Sequence, residues 1–522
     1  MTAPQRILPV GQHAVLAEYA TLADTMAAFA GLPPERPEGV IDVVPAARTI
    51  LVNFAVHVSR AEVEEWLGSA DASAVLATQP VPIDIDVVYN GDDLDEVATL
   101  LGLSRDTVVS LHTESDYRVA FTGFAPGFAY LVAPDTRLHV PRRSSPRPRV
   151  PAGAVGLAGE FSGVYPRATP GGWQLIGHTG TALWDSEREQ PALLHPGDAV
   201  RFRAVRRSVS LATPHMAKAT IPGITVIKPG LQLLVQDLGR PGHAADGVTA
   251  SGAADRAAHN AANTAVGNPR TAATLELALG GAELHFDVDA VVAITGANAP
   301  ATLTTPGADV DGSPDVIDTP IAPGTPTAIP AGGTLTFGYA SRGVRTYLAV
   351  RGGWAAPSTL TSQATDTLSG LGPAPITAGT RVGISPTQPS NAVTPVVPAP
   401  TPLAAPADTV TLDVTFGPRA DSFTAQARET LTSADFIVSA TSDRVGLRLE
   451  SGTLLERINT AELPSEGVVR GAIQVPANGQ PVIFLADHPV TGGYPVIAVV
   501  VPRHRDIVAQ VPAGTTVRFR AI

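Results

Sequence analysis

Apolar and polar residues alternate along much of the chain, and this period of two predicts β-strands with one buried face. A short segment of this kind, Gly-x-x-(Val/Leu)-x-Phe, occurs three times, beginning at Gly197, Gly332 and Gly514. A proline precedes each copy closely, and Pro followed by Gly favours a tight turn. Each copy is therefore predicted to be a turn that leads into a half-buried strand. We interpret the three copies as one β-rich unit built three times.

Helical periodicity is confined to short segments. In residues 1–80, helical stretches alternate with strand-like stretches, which indicates a small α+β subdomain. Ser59 is predicted to cap the second helix, with Glu62 three residues later completing a capping box. Further helices are predicted in 93–114 and in 252–267, where Gly267 ends the helix.

Composition shifts divide the chain into six predicted segments. The α+β subdomain (1–80) is followed by a β-rich region (81–205), a linker (206–221), a second β-rich region (222–384), a Pro-rich extended connector (385–408) and a last β region (409–522). With 522 residues, several hydrophobic cores are expected. The abundance of glycine (49) and proline (48) predicts many turns and a mainly β fold.

Charge and cysteine content exclude several classes of protein and site. A net charge of −12 disfavours binding to nucleic acid or to an anionic membrane, because phosphate neutralisation needs clustered cations. The absence of cysteine rules out disulfides, thiolate nucleophiles and Cys-ligated metals, and no metal site is expected. No apolar run approaches the roughly 18 residues of a membrane span, and the N-terminus is unlike a signal peptide. We expect a cytoplasmic protein.

Long motifs resemble a known family. "FTGFAPGFAYL" (121–131) and "TPGGWQLIGHT" (169–179) resemble allophanate hydrolase subunit 1. "VQDLGRPGHAADGVTASGAADRAAHNAANTAVGN" (235–268) and "EGVVRGAIQVPANGQPVIFLADHPVTGGYP" (466–495) resemble subunit 2. The resemblance implies a fusion of the two subunits. It also implies three cyclophilin-like β-barrels, in 81–205, 222–384 and 409–522, after the small N-terminal α+β subdomain.

The family resemblance implies three alternative functions. The first is the fused B/C component of an ATP-dependent 5-oxoprolinase, which opens the 5-oxoproline lactam to glutamate with a separate A-type subunit of the lactam-utilisation kind. The second is a carboxyltransferase component for urea or another amide, with biotin partners on other chains. The third is a non-catalytic regulator of a histidine kinase. Absence of the carboxylase and biotin segments favours the first. A homo-oligomer is compatible with all three.

Several catalytic motifs are missing. Neither lysine, Lys218 or Lys228, follows a glycine, so no P-loop exists, and ATP must bind elsewhere on this chain or on a partner subunit. Lys218 lacks the Met-Lys-Met context of biotin attachment, so no biotin is expected on this chain. Gly-x-Ser-x-Gly and His-Glu-x-x-His are also absent.

Polar residues in the glycine-rich loops are the remaining candidates. A planar amide needs donors aimed at its carbonyl oxygen and a carboxylate that exchanges a proton with its nitrogen. The predicted catalytic residues are Asp237, Gln474, Glu466 and Asp487. The predicted substrate-binding residues are Gln174, His178, Thr179, Gln236, Arg240, Thr491 and Tyr494. From the pattern alone, these residues also have a structural explanation, in a turn or on a polar strand face.

Three further features have competing explanations. Glu276 lies in an apolar strand, so it is either paired with an arginine or functional, and we favour the pairing. The arginines of "PRRSSPRPRV" (141–150) belong to a solvated loop or form an anion site for a substrate. Gln174 and His178 are four residues apart, so on a regular strand they face the same side.

Overall fold

The computed structural model describes residues 3–71, 81–207, 221–308, 314–385, 391–461 and 463–522. These residues form 34 strands and seven helices. The predicted mainly β fold with an N-terminal α+β unit is confirmed. No helix in these ranges is long and apolar enough to cross a bilayer.

The N-terminal unit is a four-stranded antiparallel sheet covered by two helices. The strand order is β1-β2-β4-β3. Its elements are β1 (Arg6–Pro9), β2 (Ala14–Glu18), α1 (Leu22–Ala30), β3 (Val40–Pro45), β4 (Thr49–Phe54) and α2 (Arg60–Gly68). The predicted capping box is present, because the Ser59 side chain accepts from the Glu62 N–H and Glu62 accepts from the Ser59 N–H.

The next region forms a nearly closed seven-stranded barrel. Its elements are β5 (Ile83–Val87), α3 (Leu94–Leu101), α4 (Arg105–Glu114), β6 (Tyr117–Thr122), β7 (Ala129–Val132), β8 (Arg147–Val150), β9 (Ala154–Ala158), β10 (Phe161–Val164), β11 (Thr169–Gly171), β12 (Gln174–His178) and β13 (Ala199–Ala204). The order is β12-β9-β10-β7-β6-β13-β5, and a bridge between Val88 and His178 joins the two edges. We call this unit the first barrel.

The middle region contains a seven-stranded and a five-stranded sheet. Its elements are β14 (Gly223–Pro229), β15 (Gln232–Gln236), α5 (Arg256–Ala265), β16 (Thr274–Ala278), β17 (Ala282–Phe286), β18 (Ala290–Gly296), β19 (Ala301–Ala308), β20 (Pro314–Ile321), β21 (Thr327–Ile329), β22 (Thr334–Phe337), β23 (Arg345–Val350), β24 (Trp354–Ala355) and β25 (Arg381–Ile384). The sheet orders are β20-β19-β22-β17-β14-β25-β24 and β15-β16-β23-β18-β21. One apolar core lies between the sheets.

The last region forms a closed barrel, the C-terminal barrel. Its elements are β26 (Thr409–Phe416), α6 (Ala425–Ser433), β27 (Phe436–Val438), β28 (Gly446–Glu450), β29 (Glu466–Gly467), β30 (Ala472–Gln474), β31 (Val482–Phe484), β32 (Thr491–Gly492), β33 (Val496–Val500), α7 (Arg505–Val508) and β34 (Thr516–Ala521). The order β26-β33-β30-β31-β28-β27-β34 repeats that of the first barrel, strand for strand. The helices α6 and α7 are additions to a region predicted only as β.

Two copies of the repeated segment are structurally equivalent, and the third is not. In the first barrel β13 pairs in parallel with β5, and in the C-terminal barrel β34 pairs in parallel with β26. The third copy, β22, lies between β17 and β19 and is antiparallel to both. The short motif specifies a turn and a half-buried strand, but it does not specify the pairing partner.

Sequence-distant units pack together. One apolar core joins the N-terminal sheet to the C-terminal barrel, through Leu16 and Leu51 on one side and Phe484 and Val499 on the other. The predicted linker at 206–221 lies almost wholly outside the described residues. From 391 to 408 the Pro-rich segment has no helix or strand, and the Thr401 hydroxyl donates to Asp255 of the middle region at 3.0 Å.

Candidate functional site

A large cavity, of about 970 Å³, lies between the first barrel and the C-terminal barrel. The motifs "FTGFAPGFAYL", "TPGGW" and "HPVTGGYP" all contribute to its walls. One wall is aromatic, consisting of Phe124, Phe128, Tyr130, Phe161, Tyr165 and Trp173. Polar side chains face it from His139, Arg142, Arg143, Ser144, Glu160, Ser465 and Thr491. A flat, polar ligand matches this combination of ring faces and hydrogen-bonding groups.

A strained loop joins the two sides of this cavity. Phe124 has a φ of 65°, which is uncommon for a bulky residue and marks strain held in place by its surroundings. Its N–H donates to the Thr491 hydroxyl oxygen at 3.3 Å. Gly123 lies beside it, and a Cβ there would lie 2.4 Å from Thr491 Oγ1, so a larger residue would displace the threonine side chain. Phe124 remains 38% exposed, so its ring is available to a ligand.

A smaller cavity of about 270 Å³ lies next to the first and shares Phe124 with it. Its other walls include Arg167, Asp366 and His488. Asp366 is held by the N–H groups of Leu368 and Ser369, at 2.9 and 3.0 Å. Burial and the nearby charge of Asp487 raise the pKa of Asp366 to about 6. A carboxyl group with that pKa exchanges protons readily near neutral pH.

Asp487, a predicted catalytic residue, belongs to a buried ion-pair network. Arg444 donates to its carboxylate at 2.9 and 3.0 Å. The hydroxyl of Ser251 donates to it at 2.6 Å and the N–H of Thr367 at 2.9 Å. Burial raises the pKa of Asp487, but the charge and hydrogen bonds of Arg444 outweigh it, so the pKa lies below its ordinary value.

The predicted arginine partner of Glu276 is confirmed. Arg444 bridges Glu276 and Asp487, and Arg345 lies 3.6 Å from the Glu276 carboxylate. Burial raises the pKa of Glu276, but these two guanidinium groups outweigh it and hold the pKa below its ordinary value. The network joins the middle region to the C-terminal barrel.

The residues of "QDLGRPGH" hold a loop of the middle region. Asp237 accepts from Gly239 N, Ser362 Oγ and Gln363 N, each at 2.7 Å. Other loop carbonyls accept from Gln236 at 2.8 Å and from the buried Arg240 guanidinium. None of Gln236, Asp237 and Arg240 lines the two cavities described above. All three set the course of the chain that carries Asp366.

The other predicted residues of the C-terminal barrel surround the loop at 491–494. Thr491 lines the large cavity. Gln474 donates to the Tyr494 carbonyl at 2.9 Å, behind the loop. Arg457 lies over the Tyr494 ring, 5.9 Å from its centroid. Glu466 accepts from Arg419 at 2.9 and 3.0 Å, and burial raises its pKa in spite of that cation.

The expectation that Gln174 and His178 face the same side is wrong. The register of β12 shifts between Leu175 and Gly177, because a bulge inserts one extra residue and reverses the alternation beyond it. Gln174 is buried, whereas His178 is exposed and contacts Asn90 Oδ1 at 2.8 Å. Thr179 is buried at the end of this strand, where its hydroxyl accepts from Thr181 N at 3.0 Å.

Two of the arginines of 141–150 are engaged by a carboxylate of the protein itself rather than free for an anion. Arg143 and Arg147 both donate to the buried Asp93 carboxylate, at 2.7 to 2.8 Å. The N–H of Leu175 donates to the same carboxylate at 2.7 Å. Burial raises the pKa of Asp93, but these hydrogen bonds and charges outweigh it and lower the pKa. This ion pair fixes the rim of the large cavity.

Sequence analysis missed the residues that give the smaller cavity its chemistry. Asp366 follows no motif, and its raised pKa arises from burial and from the charge of Asp487, which lies 121 positions further along the chain. Asp followed by Ser three residues later is common in ordinary turns, so no local signal distinguished it. In the described part of the chain, no cluster of three or more His, Asp or Glu side chains has the arrangement of a metal site.

Family models match most of the chain. The model "Carboxyltransferase domain, subdomain C and D" matches residues 5–194, and "Carboxyltransferase domain, subdomain A and B" matches residues 246–521. The chain belongs to the carboxyltransferase-domain family. The resemblance noted from the motifs is therefore confirmed, and the two models cover the two modules of the family in order.

Named relatives in this family match each module separately. The chain is 46% identical to the 5-oxoprolinase B subunit of Escherichia coli O157:H7 over 171 residues, which is 31% of this chain and 77% of that protein. It is 31% identical to the 5-oxoprolinase C subunit of Escherichia coli (strain K12) over 303 residues, 57% of this chain and 90% of that protein.

A solved structure in the family matches the whole architecture. The crystal structure of TTHA0988 superposes with a TM-score of 0.83 at 33% identity, covering 97% of this chain and 99% of that one. The fusion of both modules in one chain, with the same fold, therefore occurs in a second protein.

Proposed function

We propose that this chain is the fused B/C component of an ATP-dependent 5-oxoprolinase. The observation that carries the proposal is that one chain matches the B component over 171 residues and the C component over 303 residues. A B/C fusion replaces two proteins by one and fixes their mutual orientation. The large cavity lies between the barrels of the two modules, which supports a site formed jointly by them.

We place the lactam at the boundary of the two cavities, against the Phe124 ring. Opening the ring requires water to add to the carbonyl carbon, the C–N bond to break and the leaving nitrogen to take up a proton. Asp366 is the group we assign to this proton transfer, because its pKa of about 6 allows both protonation states near neutral pH. Arg167 lies in the same wall and offers a positive charge to the developing oxyanion.

The residues predicted from sequence divide into two roles in this proposal. Thr491 contacts the ligand cavity directly. Asp237 and Asp487 act as positioning residues, because their carboxylates are engaged by the loop at 359–367 that carries Asp366. Glu466 and Gln474 hold the loop at 491–494 from behind. Positioning residues of this kind affect turnover through geometry rather than through proton transfer.

ATP and a partner protein are further parts of the proposal. The sequence has no P-loop lysine, so we assign ATP to a separate A-type subunit or to a site formed with it. Attack on an unactivated lactam by this chain alone is not expected. The family name leaves carboxyl transfer as the alternative, in which case a biotin carrier on another chain would replace ATP as the immediate partner.

Turnover with the A-type partner tests the proposal. The mixture of purified chain and partner should convert 5-oxoproline to glutamate with consumption of ATP, and neither component alone should do so.

Asp366→Asn should lower turnover at least about 100-fold without a large change in melting temperature. Asp435→Asn, at an exposed surface carboxylate, is the control. Glutamate formation at background level in a folded complex would refute the proposal. Carboxylation of urea with a biotin partner would favour the alternative.

A further inference from the structure

A third cavity, of about 320 Å³, contains a concentration of positive charge that the proposed reaction does not use. It lies between the N-terminal sheet, the loop at 241–251 of the middle region and the C-terminal barrel. Three arginines line it, and each comes from a different segment. Arg256 is the first residue of α5, Arg470 precedes β30, and Arg505 is the first residue of α7.

The three guanidinium groups are incompletely paired. The Nε atoms of Arg256, Arg470 and Arg505 are buried and have no hydrogen-bond partner among the described residues. The Arg470 guanidinium lies 3.6 Å from the Asp506 carboxylate, which also accepts from the backbone N–H groups of Arg256 and Ala257, at 3.1 and 3.3 Å. The charge of this one carboxylate is thus shared by three cations. A buried guanidinium N–H without an acceptor destabilises the fold, unless a bound ligand supplies the acceptor.

The other titratable groups in the cavity do not neutralise the cluster. Asp42 also lines it, but its carboxylate accepts from Ala244 N at 3.1 Å, and the arginine whose charge acts on its pKa is Arg36, outside the cluster. Burial lowers the pKa of His13, and it lowers that of His488 to about 4, so both imidazoles are neutral near pH 7. Burial and mutual repulsion with Arg470 also lower the pKa values of Arg256 and Arg505 to about 10.

We propose that this arginine cavity is a binding site for a small oxyanion, a phosphate or a carboxylate group. Guanidinium groups present paired N–H donors that match the oxygens of either anion. The volume is near the lower limit of ligand pockets, which fits a phosphate or an amino-acid-sized molecule better than a whole nucleotide. Apolar walls from Val10, Val44 and Val468 would enclose the remainder of such a ligand.

The site is distinct from the proposed lactam site but borders it. The arginine cavity and the smaller cavity with Asp366 share His488, Val490 and Thr249 as walls. An anion bound here would contact three units of the chain at once. It would therefore stabilise their arrangement beside the lactam cavity, whether or not the anion takes part in the reaction.

Titration of the purified chain with inorganic phosphate, and separately with glutamate, tests the site. Melting temperature and calorimetric affinity are measured at constant ionic strength, with chloride as the balancing salt. The wild-type protein should be stabilised by at least one of the two anions. Saturation by phosphate alone would assign a phosphate ligand, and saturation by glutamate alone would assign a carboxylate.

Arg505→Gln separates binding from a structural role. It should weaken anion binding roughly tenfold or more, the loss expected for one charge-assisted hydrogen bond. In anion-free buffer its melting temperature should equal or exceed that of the wild type, because a repulsive cation is removed. Arg505→Lys keeps the charge without the paired donors and should bind with intermediate affinity. Arg518→Gln, on the exposed surface, should behave like the wild type.

Two results would overturn the proposal. One is the absence of saturable stabilisation by both anions in the wild-type chain. The other is equal stabilisation of wild type, Arg505→Gln and Arg505→Lys, which would mean that anions act elsewhere on the surface. Because these measurements need no turnover, they remain informative even if the 5-oxoprolinase proposal fails.

Discussion

Removal of the Arg444 guanidinium should strongly destabilise the protein. The side chains of Arg444, Glu276 and Asp487 are only 2%, 3% and 0% exposed, so both carboxylates would be left buried without their shared cation. Breaking a buried ion pair on one side costs about 3–5 kcal/mol. Arg444→Met keeps much of the side-chain volume, so we expect a loss of unfolding free energy within that range.

Urea denaturation followed by circular dichroism at pH 8 and at pH 5 measures this loss. The folded-state pKa values of Glu276 and Asp487 lie below their ordinary values in the wild type, so the network contributes fully above about pH 4.5 and is lost as pH falls further. In Arg444→Met both pKa values should rise, because burial is no longer opposed. The deficit of the variant should therefore shrink between pH 8 and pH 5.

The control for this experiment is Arg518→Met, whose guanidinium pairs with Asp435 at the exposed surface. It should leave stability unchanged within error. Equal stability of Arg444→Met and this control would refute the argument that the network joins the middle region to the C-terminal barrel. A deficit that grows on acidification would refute the assignment of the two carboxylates as its cause.

Three further substitutions test other parts of the structure. Gly123→Ala should lower the melting temperature, and Thr491→Ala in the same chain should restore part of the loss, because the Cβ clash is with the threonine side chain; a double variant no more stable than Gly123→Ala would contradict the contact. The hydrogen bond to Asp246 raises the pKa of His195, so its stabilisation is full below about pH 6.5 and lost as pH rises through the folded pKa. His195→Asn should therefore lower the melting temperature at pH 6 but not at pH 8.5. Asp237→Ala removes the acceptor of three hydrogen bonds and should lower the free energy of unfolding by about 2–4 kcal/mol. Lost turnover with an unchanged melting temperature would instead indicate a chemical role for Asp237.

Local features of the fold were predictable from the sequence. The capping box at Ser59 and Glu62 depends on residues three apart, and the structure contains it as predicted. The mainly β fold followed from period-two patterns and turn residues. Glu276 was identifiable as a residue with an arginine partner, because a carboxylate in an apolar strand must be paired. The identity of that arginine was not predictable from the sequence, since Arg444 lies 168 positions away in the chain.

Features that depend on pairing between distant segments were not predictable. The bulge in β12 has no recognisable sequence pattern, yet it determines that Gln174 is buried and His178 is exposed. The third repeated segment carries the same pattern as the other two, but β22 lies in a different position in its sheet. The arginine cavity combines residues 256, 470 and 505, which are far apart in the sequence. It forms only when three units of the chain pack together.

In the proposed function, the amide binds in the cavities between the first barrel, the loop carrying Asp366 and the C-terminal barrel. Hydrogen–deuterium exchange of the complex with and without 5-oxoproline tests it most directly. We predict slower exchange in 123–128, 366–371 and 490–494, with no change at the exposed strand β20. Protection confined to other segments, while glutamate is still produced, would contradict the account.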